Sequence, residues 1–212
     1  MPADSRLLQT DKLEIWRGDR PLIRDLDISA AAGEVIHLSG PNGSGKTTLL
    51  RCLAGLTLAD AGTVSWFGRQ FAGRPDPSTR ARMQYLGHLD ALKGGLTPVE
   101  NLASLDALRM GERLMDIDAA LDAAGVSHRR NIPCRFLSAG QKRRTGLARL
   151  LMRQAQVWLL DEPFTSLDVN GVAMVTDWIR AHAANGGLVI LSTHQPMAEG
   201  VVSREIRLEG AQ

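Results

Sequence analysis

The stretch Val35-Ile36-His37-Leu38-Ser39-Gly40-Pro41-Asn42-Gly43-Ser44-Gly45-Lys46-Thr47-Thr48-Leu49-Leu50 decides the fold. Val35 to Leu38 suits a central parallel strand, and LLRCLAGL from Leu49 onward sets apolar residues at helical spacing. Between them stands GxxxxGK followed by Thr, a pattern whose residue types follow from phosphate chemistry. Glycines let successive backbone N–H groups turn inward on a β-phosphate, which also meets the positive end of the following helix. Lys46 is suited to reach the β- and γ-phosphates, the Thr47 hydroxyl to ligate Mg²⁺, and Thr48 to bond the α-phosphate. Strand, glycine loop and helix therefore predict nucleotide binding by Gly40, Pro41, Asn42, Gly43, Ser44, Gly45, Lys46, Thr47 and Thr48. Kinases, GTPases and ATPases remain open on this loop alone.

Outward from the loop the local period changes several times. Leu13 to Trp16 and Ile23 to Ile28 alternate apolar with polar side chains and predict strands, as do Gly62 to Phe67 (GTVSWF) and Met83 to Gly87 (MQYLG). From Leu89 to about Ala148 the texture turns helical, with PVENLASLDALRMG and MDIDAALDAAG lacking β-branched runs. VWLLDE from Val157 and GGLVILSTH return as buried strands, and REIRLEG closes the chain with a further alternation. The expected architecture is α/β: one domain over residues 1–212, with a core of about 1–88 and 149–212 and a helical subdomain of about 89–148 inserted into it. Only Ala211 and Gln212 follow the closing strand, so no carboxy-terminal regulatory domain is expected.

Composition narrows the class. Over 212 residues, 25 Lys and Arg against 23 Asp and Glu leave a net charge of +2, too small a field for a nucleic-acid partner. The basic clusters His128 to Arg130 and Lys142 to Arg144 have no interleaved aromatics and are expected to be solvated helix faces. A chain this long buries roughly 70% of its unfolded surface, enough for a core without staples. It has only two cysteines, Cys52 and Cys134, and its opening MPADSRLLQT has no apolar signal region, which together predict a reducing, cytosolic setting. Its apolar runs are strand-length, well short of the roughly 20 residues of a membrane helix, so any membrane role is expected to be peripheral.

Leu137-Ser138-Ala139-Gly140-Gln141, continued by KRRTGLARLLMRQAQVWLLDEP, resembles the LSGGQ signature of ATP-binding cassette ATPases, with Ala139 in place of one glycine. Ser138 stands 23 residues before Asp161, and the resemblance runs from Leu13 to Gly210. Asp161 and Glu162 end a buried strand, where the ligand crevice of an open α/β sheet lies. Asp161 is expected in the Mg²⁺ shell, and Glu162 is expected to accept a proton from the water attacking the γ-phosphate.

The resemblance implies further roles. Phe164 to Asp168 (FTSLD) is similar to the family's D-loop, with Asp168 expected to touch an opposing subunit, and His194 is similar to the switch histidine that contacts the γ-phosphate. Trp16, six residues before Leu22, stands where the family commonly has an aromatic that stacks on adenine, a contact contributing about 1 kcal/mol. The chain departs from the family at the Q-loop: His88, nine residues before Thr97, occupies the position of the Mg²⁺-contacting glutamine. An imidazole is a poorer ligand for a hard cation than an amide oxygen, so His88 is read either as a weak metal contact or as a coupling or packing residue. His37, His128 and His182 match nothing in the pattern and read as core or surface residues.

In this family the signature and the phosphate loop meet only between two copies, which implies a homodimer with ATP at its interface, Lys46 of one copy facing Ser138 and Gly140 of the other. ATP then closes the dimer and hydrolysis opens it. Without a membrane span, transport needs integral membrane permease subunits as partners. Soluble cassette ATPases of translation or DNA repair are twin-cassette chains or carry long coiled-coil insertions, unlike a 212-residue chain with roughly sixty in its helical insert. Glu162 and His194 together speak against a non-hydrolysing regulatory module. The short chain with YLGH, EPFTSLD and THQ resembles the haem-exporter ATP-binding subunits of bacterial cytochrome c maturation, which implies a place on the cytoplasmic face of the inner membrane; another exporter stays open. No CxxCH or Cys-Pro sequence occurs, so no direct haem binding is expected.

Overall fold

A computed structural model describes residues 6–71, 73–88, 90–107, 112–195, 197 and 199–209. Leu89, the expected first residue of the helical insert, lies outside the described residues, as do 108–111 of the expected PVENLASLDALRMG helix, the opening before Arg6 and the terminal 210–212. In chain order β1 (Arg6–Arg17), β2 (Arg20–Leu26) and β3 (Ser29–Ala31) precede β4 (Val35–Ser39) and α1 (Lys46–Leu53). Next come β5 (Ala61–Trp66), β6 (Arg69–Phe71), α2 (Pro77–Ala81), β7 (Met83–Leu86), α3 (Pro98–Asp106), α4 (Ile117–Ala123) and α5 (Ala139–Met152). The chain ends through β8 (Val157–Asp161), α6 (Val169–Ala184), β9 (Leu188–Ser192) and β10 (Arg204–Arg207).

Two sheets form among the described residues. One is antiparallel, with β1 pairing β2, β3 and β5, and β6 beyond β5. The other is parallel in the order β10-β4-β9-β8-β7, which puts the loop-bearing strand β4 beside β9. Period-2 alternation sends Val157, Leu159, Leu188 and Ile190 to one face, where they pack with Leu49, Leu50 and Leu53 of α1 and with residues of the antiparallel sheet such as Leu8 and Ile15. Trp158, Leu160, Val189 and Leu191 go to the other face, against Leu147 and Leu150 of α5 and Val175 and Ile179 of α6. Strands buried on both faces read as near-continuous apolar runs, which is why VWLL and LVIL look as they do.

The expected strand over Ile23 to Ile28 stops at Leu26: Asp27 and Ile28 lie in no strand, and β3 begins after them at Ser29. Thr10 is the reason: its backbone N–H donates to the Ile28 carbonyl, while its hydroxyl donates to the Leu26 carbonyl and accepts from the Ile28 N–H, each at 2.8 Å. This side chain replaces ladder bonds at the break, so β2 pairs with the far half of β1 (Leu13 with Leu26) and β3 with its near half (Gln9 with Ser29).

Leu102, Ala120, Leu121, Ala124, Val126, Ala148 and Met152 form a separate small core among α3, α4 and α5. The starts of these helices are capped by side chains: Thr97 with Glu100 and Ser138 with Gln141 form capping boxes, and Asp116 caps α4. The boundary expected near residue 148 falls within α5, whose Leu147 and Leu150 pack toward the parallel sheet while Ala148 and Met152 join the small helical core. Among the described residues no helix is long and apolar enough to cross a membrane.

Candidate nucleotide site

Beyond Ser39 the chain turns through Gly40, Gly43 and Gly45, all at positive φ. At Gly40 a side-chain carbon would lie 2.2 Å from the Leu208 carbonyl oxygen, so close approach as well as backbone conformation requires glycine. Lys46 opens α1 largely buried, and its Nζ donates to the carbonyls of Gly40 at 2.8 Å and Pro41 at 3.0 Å. An ammonium has three donors, so one remains for an anion in the loop. Ser44 Oγ is buried with no protein partner among the described residues, and Gly43 borders open space. A fixed cation, a helix N-terminus, an orphaned hydroxyl and an uncrowded glycine turn fit phosphate oxygens.

Opposite the loop, β8 delivers Asp161 to the cleft, and Ser192 of β9 is buried beside it. Thr47 Oγ1 lies 2.9 and 3.1 Å from the two Asp161 oxygens, and Ser192 Oγ donates to Asp161 Oδ1 at 2.7 Å. A hydroxyl beside a carboxylate is the all-oxygen donor set that a hard cation such as Mg²⁺ takes. Glu162 follows at φ 50°, a left-handed conformation costing about 1–3 kcal/mol for a side-chain-bearing residue. Its N–H donates to the Ser192 carbonyl at 3.1 Å and Ser192 Oγ at 3.2 Å. Its Oε2 accepts the backbone N–H of His194 at 3.3 Å, and its Oε1 lies 3.5 Å from His194 Nε2.

A cleft of about 690 Å³ brings Lys46, Thr47, Thr48, His88, Asp161, Glu162 and His194 together, along with Asn42, Gly43 and Gly45. That volume is ample for a nucleotide. His88 is exposed at its rim. Trp16 is not in the wall, though its neighbour Arg17 is; its indole donates to Glu14 at 3.1 Å, and Arg24 lies over the ring 5.2 Å from its centroid. Ser138 and Gly140 do not line the cleft. Ser138 accepts from the Gln141 N–H at 3.2 Å as the cap of α5, and a side-chain carbon on Gly140 would come within 2.8 Å of the Ser166 carbonyl.

The family model described as ABC transporter matches residues 23–165, well over half of the chain. The chain belongs to the ABC transporter family. It is 44% identical over 199 residues to the cytochrome c biogenesis ATP-binding export protein CcmA of Rhodopseudomonas palustris (strain HaA2), covering 94% of this chain and 96% of that one. It is 42% identical to the protein of that name from Dechloromonas aromatica, across 95% of this chain and 100% of that one, and 45% identical to that of Nitrosococcus oceani, across 88% and 85%. The fold matches a solved ATP-binding subunit of an ABC transporter at TM-score 0.81 and 24% identity, covering 96% of this chain and 86% of that one. It also matches the ADP conformation of an ATP-binding cassette at TM-score 0.77 and 20% identity, covering 96% and 87%. The fold is that of the P-loop ABC ATPases, and the chain is a nucleotide-binding ATPase subunit of a transporter.

Within this cassette several side chains stand where sequence reasoning had not put them. Lys142 to Arg144 is not a solvated helix face: the Arg143 side chain is 2% exposed and Arg144 reaches Asp168 at 2.6 Å. The Gly171 N–H and Arg144 together hold the Asp168 carboxyl below the usual carboxylate range. Arg17, Leu22, Thr165, Ser166 and Gln195 line the cleft without having been singled out, although Thr165 and Ser166 belong to the quoted FTSLD. Ser192, the bridge between Asp161 and Glu162, had only its place before Thr193-His194 as a signal.

Proposed function

We propose that this chain is the ATP-hydrolysing subunit of an export complex serving cytochrome c biogenesis, working on the cytoplasmic face of a bacterial inner membrane beneath integral membrane subunits. Near full-length similarity at 42–45% identity to proteins named for that process supports the subfamily, together with YLGH, EPFTSLD and THQ. The observation that carries the catalytic part is one cleft lined by Lys46, Thr47, Asp161, Glu162 and His194 while Ser138 and Gly140 stay out of it. In this reading two copies face each other, and each offers Ser138 and Gly140 to the ATP in the other's Gly40–Thr48 loop. Asp168, exposed at the start of α6, meets the opposing copy.

Lys46 gives its remaining donor to the β- and γ-phosphates and Thr48 bonds the α-phosphate. Mg²⁺, held by the Thr47 hydroxyl and the Asp161 carboxylate, would supply positive charge to the phosphate oxygens. The Glu162 carboxylate takes the proton of the attacking water, leaving ADP and phosphate, and then releases it to solvent. His194 holds Glu162 through its backbone N–H and offers its ring to the γ-phosphate. Arg24 covers one face of Trp16, and in this reading adenine stacks on the other. His88, at the rim, acts as a weak metal contact or couples the membrane subunits to the cleft. The chain carries no haem ligand motif, so cargo is handled by its partners.

Mixing Lys46→Ala with Ser138→Arg chains is expected to restore one intact site in the mixed dimer from two inactive proteins. No recovery in demonstrated mixed dimers would contradict the shared site. Deleting the chain is expected to abolish holocytochrome c, with Glu162→Gln unable to complement. Normal c-type cytochromes in the deletion strain would remove the subfamily assignment and leave the ATPase in place.

A further inference from the structure

Arg143 lies on α5 with its guanidinium buried at the meeting point of three segments. Its Nε donates to the Pro163 carbonyl at 3.2 Å, and its Nη2 donates to the carbonyls of Asp161 at 3.1 Å and Glu162 at 2.6 Å. Its Nη1 donates to the Gly87 carbonyl at 3.2 Å, to Asp90 Oδ1 at 2.8 Å and, at a longer 3.5 Å, to the His88 carbonyl. One planar fork thus grips three consecutive carbonyls around the Glu162 backbone and, on its other edge, the segment after β7 that carries His88. Asp90 is seated on the same helix face one turn on, where a side-chain carbon at Gly146 would come within 3.2 Å of its Cβ.

Glu162 needs this support because its φ of 50° is strained. Its N–H is held by Ser192 and its carbonyl by Arg143, so the backbone that aims the carboxylate is fixed from both sides. We propose that Arg143 is a positioning residue for hydrolysis: it locks the Glu162 backbone and ties it to Gly87, His88 and Asp90, so that displacement of these residues reaches the Glu162 carboxylate through one side chain. The inference rests on the reading of Glu162 as the proton acceptor. Lysine cannot replace Arg143, since a single ammonium does not span both the Asp161–Pro163 carbonyls and Asp90.

The test measures ATP hydrolysis and, in nucleotide-free protein, hydrogen exchange at the Glu162 amide. Arg143→Gln is expected to lower kcat about tenfold or more with KM for ATP within about threefold, and to speed exchange at Glu162 about tenfold while the Leu38 amide of β4 is unchanged. Asp90→Asn is expected to give a smaller loss of the same kind, and the double variant no further loss than Arg143→Gln alone. A folded Arg143→Gln chain with unchanged kcat, or a loss confined to KM, overturns the inference. If Arg143→Gln does not fold, Asp90→Asn decides by the same two criteria. Glu162→Gln run in parallel separates the failures: full activity there removes the proton-acceptor reading and the inference with it, whereas an inactive Glu162→Gln beside a fully active Arg143→Gln removes the inference alone.

Discussion

Strands β8 and β9 have an imidazole at each end, and the fold treats the two oppositely. At the carboxyl ends His194 is 56% exposed beside Glu162. At the amino ends His182 of α6 lies flat on Trp158, ring centroids 4.0 Å apart and planes within 9°, and burial pushes its pKa from 6.5 down to about 4. Gly187 permits that packing, since a side-chain carbon there would sit 2.2 Å from His182 Nε2. The residue type is the same; its place on the parallel sheet decides whether it is solvated beside a carboxylate or held neutral. Of the six described non-glycine residues at positive φ, two, Glu162 and Ser166, stand at the carboxyl-end cleft.

The comparison is broken most strongly from the cleft side. Lys46→Ala removes the buried ammonium, and kcat/KM for ATP is expected to fall on the order of 1,000-fold with nucleotide binding lost in titration calorimetry. A retained ATPase rate would contradict the assignment of the loop. His194→Ala is expected to cost about 100-fold in kcat with ATP affinity changed only a few-fold, measured by steady-state kinetics and equilibrium binding. If the loss appeared in binding instead, the contrast with His182 would be one of affinity and not of catalysis.

The parts legible in the sequence are those whose chemistry is local. The Gly40–Thr47 loop declares itself because close approach at Gly40 admits only glycine, and the strands declare themselves because both of their faces are buried. The start of α5 was legible as the LSAGQ stretch, whose Ser138 caps the helix. The interior of α5 was not: three consecutive basic residues look solvated until the fold brings the Asp161–Pro163 carbonyls against Arg143. Trp16 stands a residue away from the cleft wall because β1 and β2 pair it with Pro21 and its N–H is taken by Asp60, contacts that no local pattern reveals.

Two smaller effects sharpen the contrast. Protonation of His182 is disfavoured in the folded chain, so between pH 6.5 and about 4 the unfolded chain binds more protons and stability falls as the solution is acidified, by at most about 1.4 kcal/mol per pH unit. His182→Phe keeps a stacked ring without the titration. In chemical denaturation its stability is expected to fall less than the wild type's across that window, and parallel curves would mean His182 is not held neutral. Trp16→Ala is expected to weaken ATP binding only about fivefold, the equivalent of about 1 kcal/mol. An unchanged dissociation constant would show that the ring does not meet adenine.

The most direct measurement is the size of Glu162→Gln chains in solution with and without saturating ATP. The amide retains the side chain's size and cannot take the proton, so ATP should stay intact between two phosphate loops and two signatures. A shift from monomer to a stable dimer on adding ATP, reversed when ATP is removed, is the predicted result. A Glu162→Gln chain that binds ATP yet remains a monomer would contradict the account, because Ser138 and Gly140 would then have no copy to face.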